Sequence, residues 1–253
     1  MPYLTPIQLS KFETNGFLIE RNLFDSDEIQ LLQKTAKNDQ ELDRRSQGRR
    51  DRSGATVRLT LWNHPGEGIY GMFAKCKKLV GRMEELLEEE VYHYHSKMIL
   101  KDPEVGGAWE WHQDYGYWYH NACLYPDMAS CFIMLDKANK ENGCLKVLKG
   151  SHRVGRISHE RSDTPEQTAD NERIRELEKR HESVYIEAEP GDALFFHANL
   201  LHSSDANKSQ NSRRTLIVCF NTKSNNPYKE IGHASYNQLK VANHNSIMEY
   251  KID

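Results

Sequence analysis

Val184-Tyr185-Ile186-Glu187-Ala188-Glu189, then Pro190-Gly191-Asp192, then Ala193-Leu194-Phe195-Phe196-His197 is the stretch that decides the fold. Two short runs rich in β-branched and aromatic residues flank a Pro-Gly-Asp turn, the punctuation of neighbouring strands. The same texture recurs in Tyr92 to Leu100, Ser130 to Leu135, Cys144 to Leu148 and Arg213 to Phe220, with Gly, Asn, Pro and Asp clusters between them. Short strands in series, with no helix alternating between them, predict an all-β sandwich or barrel rather than a βαβ fold. One interruption, Asp170 to His181, reads as an inserted helix.

Before Val91 the pattern is helical. Thr5 and Ser26 read as helix starts, because each polar residue precedes apolar residues at helical spacing: Ile7, Leu9 and Phe12, then Ile29, Leu31 and Leu32. Gly16-Phe17-Leu18-Ile19 lies between the two helices. Tyr70, Phe73, Val80, Met83 and Leu87 predict one further helix of about five turns, running into the acidic, solvated Glu84 to Glu90. Asp43 to Arg58 carries six arginines among Ser, Gly and Asp with almost nothing apolar to bury, and reads as a mobile solvated loop, an anion clamp being the other reading. No composition break marks a second domain. The expected organisation is one domain over 1–253: a helical part over 1–90, a jelly-roll core over 91–222 and a C-terminal extension over 223–253. The fold class is thus mainly β with flanking helices, a jelly roll.

Composition narrows the function. The 253 residues carry 34 Lys and Arg against 37 Asp and Glu, a net charge of −3, which gives no global attraction for nucleic acid or an anionic membrane. No run approaches the roughly 20 apolar residues of a membrane span, and the N-terminus lacks a signal-peptide pattern, so a cytoplasmic protein is expected. Cys76, Cys123, Cys131, Cys144 and Cys219 are odd in number and form no C-x-x-C, so they read as buried thiols rather than disulfides or a zinc knuckle.

His112-Gln113-Asp114 is the one H-x-D among twelve histidines. Chance yields such a triplet about 0.7 times in a chain of this composition, so its context must decide. On an extended strand residues i and i+2 point the same way, so His112 and Asp114 present an imidazole nitrogen and a carboxylate to one centre. His202, after Pro190-Gly191-Asp192, a β-run and a polar turn, is the candidate third ligand. Two histidines and one carboxylate with open positions suit non-haem Fe(II) reacting with O2. Arg213 and Thr215 share a strand face eleven and thirteen residues on and can together hold a remote carboxylate, with Arg214 pointing away. His152 reads as a cap for the Gly150-Ser151 turn. His93 and His95 read as cavity or barrel-wall residues. Tyr115, Tyr117, Trp118 and Tyr119 form either core or lid packing or a substrate wall.

Trp111-His112-Gln113-Asp114 with Tyr115 and Trp118, Asn142-Gly143-Cys144 through Gly150-Ser151-His152, Pro190-Gly191-Asp192, and His202-x-Ser204-x-x-Asn207 with Arg213 occur in that order. In this the chain resembles the phytanoyl-CoA dioxygenase family, Fe(II)- and 2-oxoglutarate-dependent oxygenases on a double-stranded, cupin-like β-helix. The resemblance spans nearly the whole chain, Gly16-Phe17-Leu18 included. It implies Fe(II) held by His112, Asp114 and His202, with 2-oxoglutarate and O2 as co-substrates and Arg213 at the 2-oxoglutarate carboxylate. Thr215 and Gln113 are counted with Arg213 among the cofactor-binding residues. It also implies hydroxylation with release of succinate and CO2. Halogenation is not expected, because halogenases of the family commonly have a small residue where this chain has Asp114. The alternative from another class is a cupin-like isomerase or binding protein that does not use 2-oxoglutarate.

The spacing from Lys101 through His112 to Trp118 is similar to the ectoine hydroxylases, which carry Gln and Arg where this chain has His95 and Lys97. That resemblance places His95 and Lys97 in the substrate pocket with Trp118. His93, His95 and Lys97 alternate with Tyr92, Tyr94 and Ser96, so one strand face is expected to carry all three cationic or titratable groups. A small polar substrate bearing a carboxylate or similar anion is therefore expected. A CoA thioester is not, since neither the N-terminus nor Tyr250-Lys251-Ile252-Asp253 supplies the targeting signal of the peroxisomal enzymes. The oligomeric state is not legible.

Overall fold

The computed structural model describes residues 2–161, 167–230, 232–243 and 245–250. Lys251-Ile252-Asp253, the end of the expected C-terminal extension, lie outside them. The chain opens with α1 (Pro6–Asn15), β1 (Phe17–Glu20), α2 (Ser26–Asn38), α3 (Gln40–Arg45), β2 (Gln47–Arg50), β3 (Thr56–Trp62), α4 (Ile69–Lys75) and α5 (Lys77–Leu87). It continues with β4 (Val91–Lys101), β5 (Trp109–His112), α6 (Asp114–Trp118), β6 (Met128–Met134), β7 (Leu145–Leu148), β8 (His159–Arg161) and β9 (Gln167–Ala169). The rest is α7 (Asn171–Glu178), β10 (Ser183–Tyr185), β11 (Ala193–His197), β12 (His202–Ser204), β13 (Arg213–Thr222) and α8 (Ser246–Glu249).

Two antiparallel sheets face each other. The larger runs β1-β11-β6-β13-β4-β3-β2 and the smaller β10-β7-β12-β5, with β8 and β9 paired as a separate two-stranded sheet. This is the expected double-stranded β-helix. Alternation along the large sheet divides its side chains. Val218, Phe220, Cys131 and Phe195 pack outward under α1, α2, α4 and α5, whereas Ile217, Cys219, Phe132 and Phe196 face the smaller sheet.

The N-terminal part departs from expectation in four places. It is not wholly helical over 1–90, because β1, β2 and β3 join the large sheet. The cap of α2 is Asp25 rather than Ser26: its carboxylate accepts from the Asp27 and Glu28 amides, and Glu28 reaches back to the Asp25 amide, closing a capping box. The expected five-turn helix is two helices. Cys76 takes an extended conformation, and backbone bonds from Lys77 to Ala242 and from Ala242 to Lys75 pin the break from the C-terminal segment. The expected arginine-rich loop is the end of α3 followed by the edge hairpin β2–β3. Its turn closes on the Asp51 carboxylate, which accepts from the amides of Ser53, Ala55 and Ala108. Arg58 is neutralised by Asp102 at 2.8 Å and Asp43 at 3.2 Å, so this strand needs little apolar surface to settle on the sheet edge. Among the described residues no helix is long and apolar enough to cross a membrane.

Candidate active site

β5 ends at His112, Gln113 stays extended (φ −113°, ψ 135°), and Asp114 starts α6. The strand stops at the first residue of the H-x-D, yet the extended Gln113 keeps His112 and Asp114 on one side. His202 opens β12 as the cross-strand partner of His112, and the two rings lie 4.0 Å apart. One ligand atom from each of His112, Asp114 and His202 falls within 4.8 Å of the others, and all three residues are buried.

Hydrogen bonds decide which atoms are offered. Nδ1 of His112 meets the Glu110 carbonyl and Nδ1 of His202 the Leu200 carbonyl, both at 2.8 Å, so each Nδ1 donates its proton and each Nε2 keeps a lone pair. The Ser130 hydroxyl donates to Asp114 Oδ2 at 2.9 Å, leaving Oδ1. Two neutral imidazole nitrogens and a carboxylate oxygen, each steadied by an outer partner, fit a divalent metal such as Fe(II) with open coordination positions.

A cavity of about 240 Å3 opens at this cluster between the sheets. At one end Arg213, the first residue of β13, is 3% exposed, and its Nε and Nη1 atoms are buried without a partner. Burial pulls its pKa down to about 10. The Thr215 hydroxyl, two residues on, is likewise buried and without a partner. Arg214 points the other way, into a bidentate pair with Asp136 at 2.8 and 2.9 Å. Lys101, which the sequence reading used only for spacing, is the cross-strand partner of Arg213; its ammonium donates to Ser204 Oγ at 2.8 Å inside the same cavity. Burial, and then the charge of Arg213, pull the Lys101 pKa well below its ordinary value.

Towards the other end, His95 and Lys97 line the cavity with Trp118. Lys97 Nζ lies 3.9 Å from Asp114 Oδ1 and 5.9 Å from the Trp118 ring centre. His93 does not join them. The pairing of β4 with β13 skips Tyr94, with Cys219 opposite His95 and Phe220 opposite His93, so a bulge turns His93 to the outer face, where it meets Ser96 Oγ and the Phe220 ring. The expectation of three such groups on one face is corrected to two.

Gln113 is corrected as well. Its amide nitrogen donates to the Gly155 and Asn199 carbonyls and its oxygen accepts from the Ile157 amide, so it clamps the loops behind the ligands and stands outside the cavity. His152 does not cap its own turn; its Nε2 meets the Glu13 carbonyl of α1 at 3.0 Å. The aromatic cluster divides: Tyr117 and Trp118 line the cavity, Tyr115 is buried with its hydroxyl on the Cys123 carbonyl, and Tyr119 is exposed. Arg49, from the arginine-rich segment read as a solvated loop or an anion clamp, reaches the cavity wall, its guanidinium 4.3 Å over Trp109; sequence reasoning missed His233 from the C-terminal segment. The parity of β4, carried one residue past Leu100, would have found Lys101. No local signal marks His233.

A jelly roll that gathers two histidines and a carboxylate beside a buried bare guanidinium defines a non-haem metal oxygenase. The phytanoyl-CoA dioxygenase family model matches residues 12–215. The L-proline trans-4-hydroxylase of Streptomyces griseoviridis is 30% identical over 70% of this chain and 72% of its own. The ectoine dioxygenase of Sphingopyxis alaskensis is 28% identical over 89% and 78%. Among solved structures, EctD from S. alaskensis with 2-oxoglutarate and 5-hydroxyectoine superposes with a TM-score of 0.80 at 23% identity, over 96% of this chain and 88% of that one. The carbocyclase SnoK from nogalamycin biosynthesis does so at 0.69 and 17%, over 87% and 85%. The chain belongs to the phytanoyl-CoA dioxygenase family.

Proposed function

We propose that this Fe(II)- and 2-oxoglutarate-dependent dioxygenase hydroxylates a small polar molecule that bears a carboxylate or similar anion, with His112, Asp114 and His202 holding the metal. Held by these three residues, Fe(II) would supply the chemistry that turns 2-oxoglutarate and O2 into succinate and CO2 and a substrate C–H into C–OH. The residues of the chain do the rest. Arg213 anchors the far carboxylate of 2-oxoglutarate by charge-assisted hydrogen bonds, the Thr215 hydroxyl adds a donor, and Lys101, the cross-strand partner of Arg213, ties β4 to Ser204 beside it. Ser130 and the Glu110 and Leu200 carbonyls keep the ligand atoms aimed. His95, Lys97 and Trp118 face the substrate, and the apolar walls from Ile99, Phe132, Leu145 and Ile217 limit water around it.

The observation that carries this reading is Arg213. An arginine that is 3% exposed with two bare nitrogens costs several kcal/mol unless an anion completes it, and it shares a cavity with the metal cluster. A cupin-like isomerase or binder without 2-oxoglutarate has no use for that cation. The test is succinate release from 2-oxoglutarate in air, with and without Fe(II). Iron-dependent succinate supports the reading, and its absence from folded, iron-loaded protein contradicts it.

A further inference from the structure

His233 lies eighteen positions past the last residue matched by the family, yet it lines the active-site cavity. Its ring stacks on Tyr94 with centroids 4.4 Å apart and meets His95 edge-on at 5.5 Å. The Ala234 amide donates to His233 Nδ1 at 2.9 Å, so Nδ1 carries the lone pair and Nε2 of the neutral ring carries the proton. His233 is thereby a fixed donor. The segment that carries it is tied down independently: the Tyr236 ring packs edge-on against Tyr92, and its hydroxyl donates to Glu90 at 2.7 Å.

His95 is 2% exposed, and neither of its ring nitrogens has a partner. Buried polar atoms left bare in this way call for a ligand to complete them. Lys97, two residues along the same strand face, adds an ammonium. Among the described residues that line the cavity, Asp114 is the single carboxylate, and the metal takes it. An ammonium on the substrate would sit beside Lys97 with no anion to pair with, whereas a carboxylate there meets a charge-assisted donor and an N–H.

We propose that His95, Lys97 and His233 form the recognition site for a substrate carboxylate, and that the substrate is a small carboxylic acid without an ammonium group. This rests on the oxygenase reading above. Cyclopentanecarboxylate, L-proline and pyrrolidine share one five-membered ring and offer a carboxylate, both charges, and an amine. Each is titrated calorimetrically into protein loaded with iron and saturated with 2-oxoglutarate under nitrogen. Cyclopentanecarboxylate is expected to bind at least about tenfold more tightly than pyrrolidine, which lacks the charge-assisted hydrogen bond, and about tenfold more tightly than L-proline, whose ammonium would sit unpaired beside Lys97. His233→Phe should cost a similar factor, His233→Gln, which keeps a donor, should restore most of it, and both should bind 2-oxoglutarate as the parent does. Equal or tighter binding of L-proline or pyrrolidine, no binding of any of the three, or an unchanged affinity in His233→Phe overturns the recognition site. If 2-oxoglutarate itself fails to bind the parent protein, the oxygenase reading falls and takes this inference with it; if it binds and the carboxylate is not preferred, only the recognition site falls.

Discussion

His112 and His202 face each other across the β5–β12 pair, their rings 4.0 Å apart and tilted by 53°, each with Nδ1 held by a carbonyl two residues earlier in the chain. The backbone thus fixes both ring orientations without help from a metal. His112→Ala or His202→Ala should therefore keep the fold, read as a melting temperature within a few degrees of the parent, and lose measurable iron binding. Ser130→Ala leaves the ligands but frees Asp114, and should weaken iron about 10- to 100-fold. Calorimetric metal titration separates the two grades of loss.

Arg213 and Arg214 are adjacent but live in different surroundings, one bare in the cavity and the other paired with Asp136. Arg213→Ala should raise the 2-oxoglutarate KM about 100-fold or more, since charge-assisted hydrogen bonds are worth about 1.5–3 kcal/mol each. Arg214→Ala should leave that KM nearly unchanged and lower stability by about 1 kcal/mol through loss of a half-buried pair. The reverse pattern in steady-state kinetics would show that the carboxylate sits on the other face of β13.

Gly116 is packed against His159. A Cβ at this position would come within 2.1 Å of the His159 ring, which cannot yield because its Nδ1 holds the Ile157 carbonyl and its Nε2 accepts the Gln113 amide. Gly116→Ala should cost about 1–3 kcal/mol in urea unfolding. It should also weaken iron binding, because the displaced Gln113 backbone lies between both H-x-D ligands.

His93, turned outward by the β4 bulge, carries a pH dependence of its own. Burial, and then the charge of nearby His64, pull its pKa down to about 4, against about 6.5 in the unfolded chain. Between those values the unfolded chain binds the proton and the native protein does not, so stability is present in full above about pH 6.5 and is lost as pH falls towards 4. The loss from this group is about 2 kcal/mol between pH 7.5 and pH 5. His93→Gln should flatten the urea midpoint against pH over this window, whereas an unchanged slope would place the titration elsewhere.

The core strands, the inserted helix α7 and the three H-x-D-centred candidates were legible because each rests on a local signal: alternation, a cap, or a spacing. That Arg213 and Arg214 face opposite ways was legible from parity, and the structure separates them as parity requires, one bare in the cavity and the other paired with Asp136; the choice of Arg213 rested on the resemblance as well. What was not legible depends on contacts distant in sequence. The break at Cys76 is set by Ala242, the hairpin β2–β3 by pairing with β4 and by Asp51 reaching Ala108, and the outward turn of His93 by the register of β13. Gln113 looked like a cofactor residue by position, but Gly155, Ile157 and Asn199 claim its amide from loops that lie more than forty residues away.

The measurement that bears most directly on the metal and 2-oxoglutarate site is the visible spectrum of the protein under nitrogen, taken with Fe(II) alone, with 2-oxoglutarate alone and with both. A new absorption band that requires both additions, and that is missing from His202→Ala, is the predicted result. A spectrum unchanged by adding 2-oxoglutarate to the iron-loaded protein, or a band that survives in His202→Ala, would contradict the assignment of His112, Asp114 and His202 as the site where iron and 2-oxoglutarate meet.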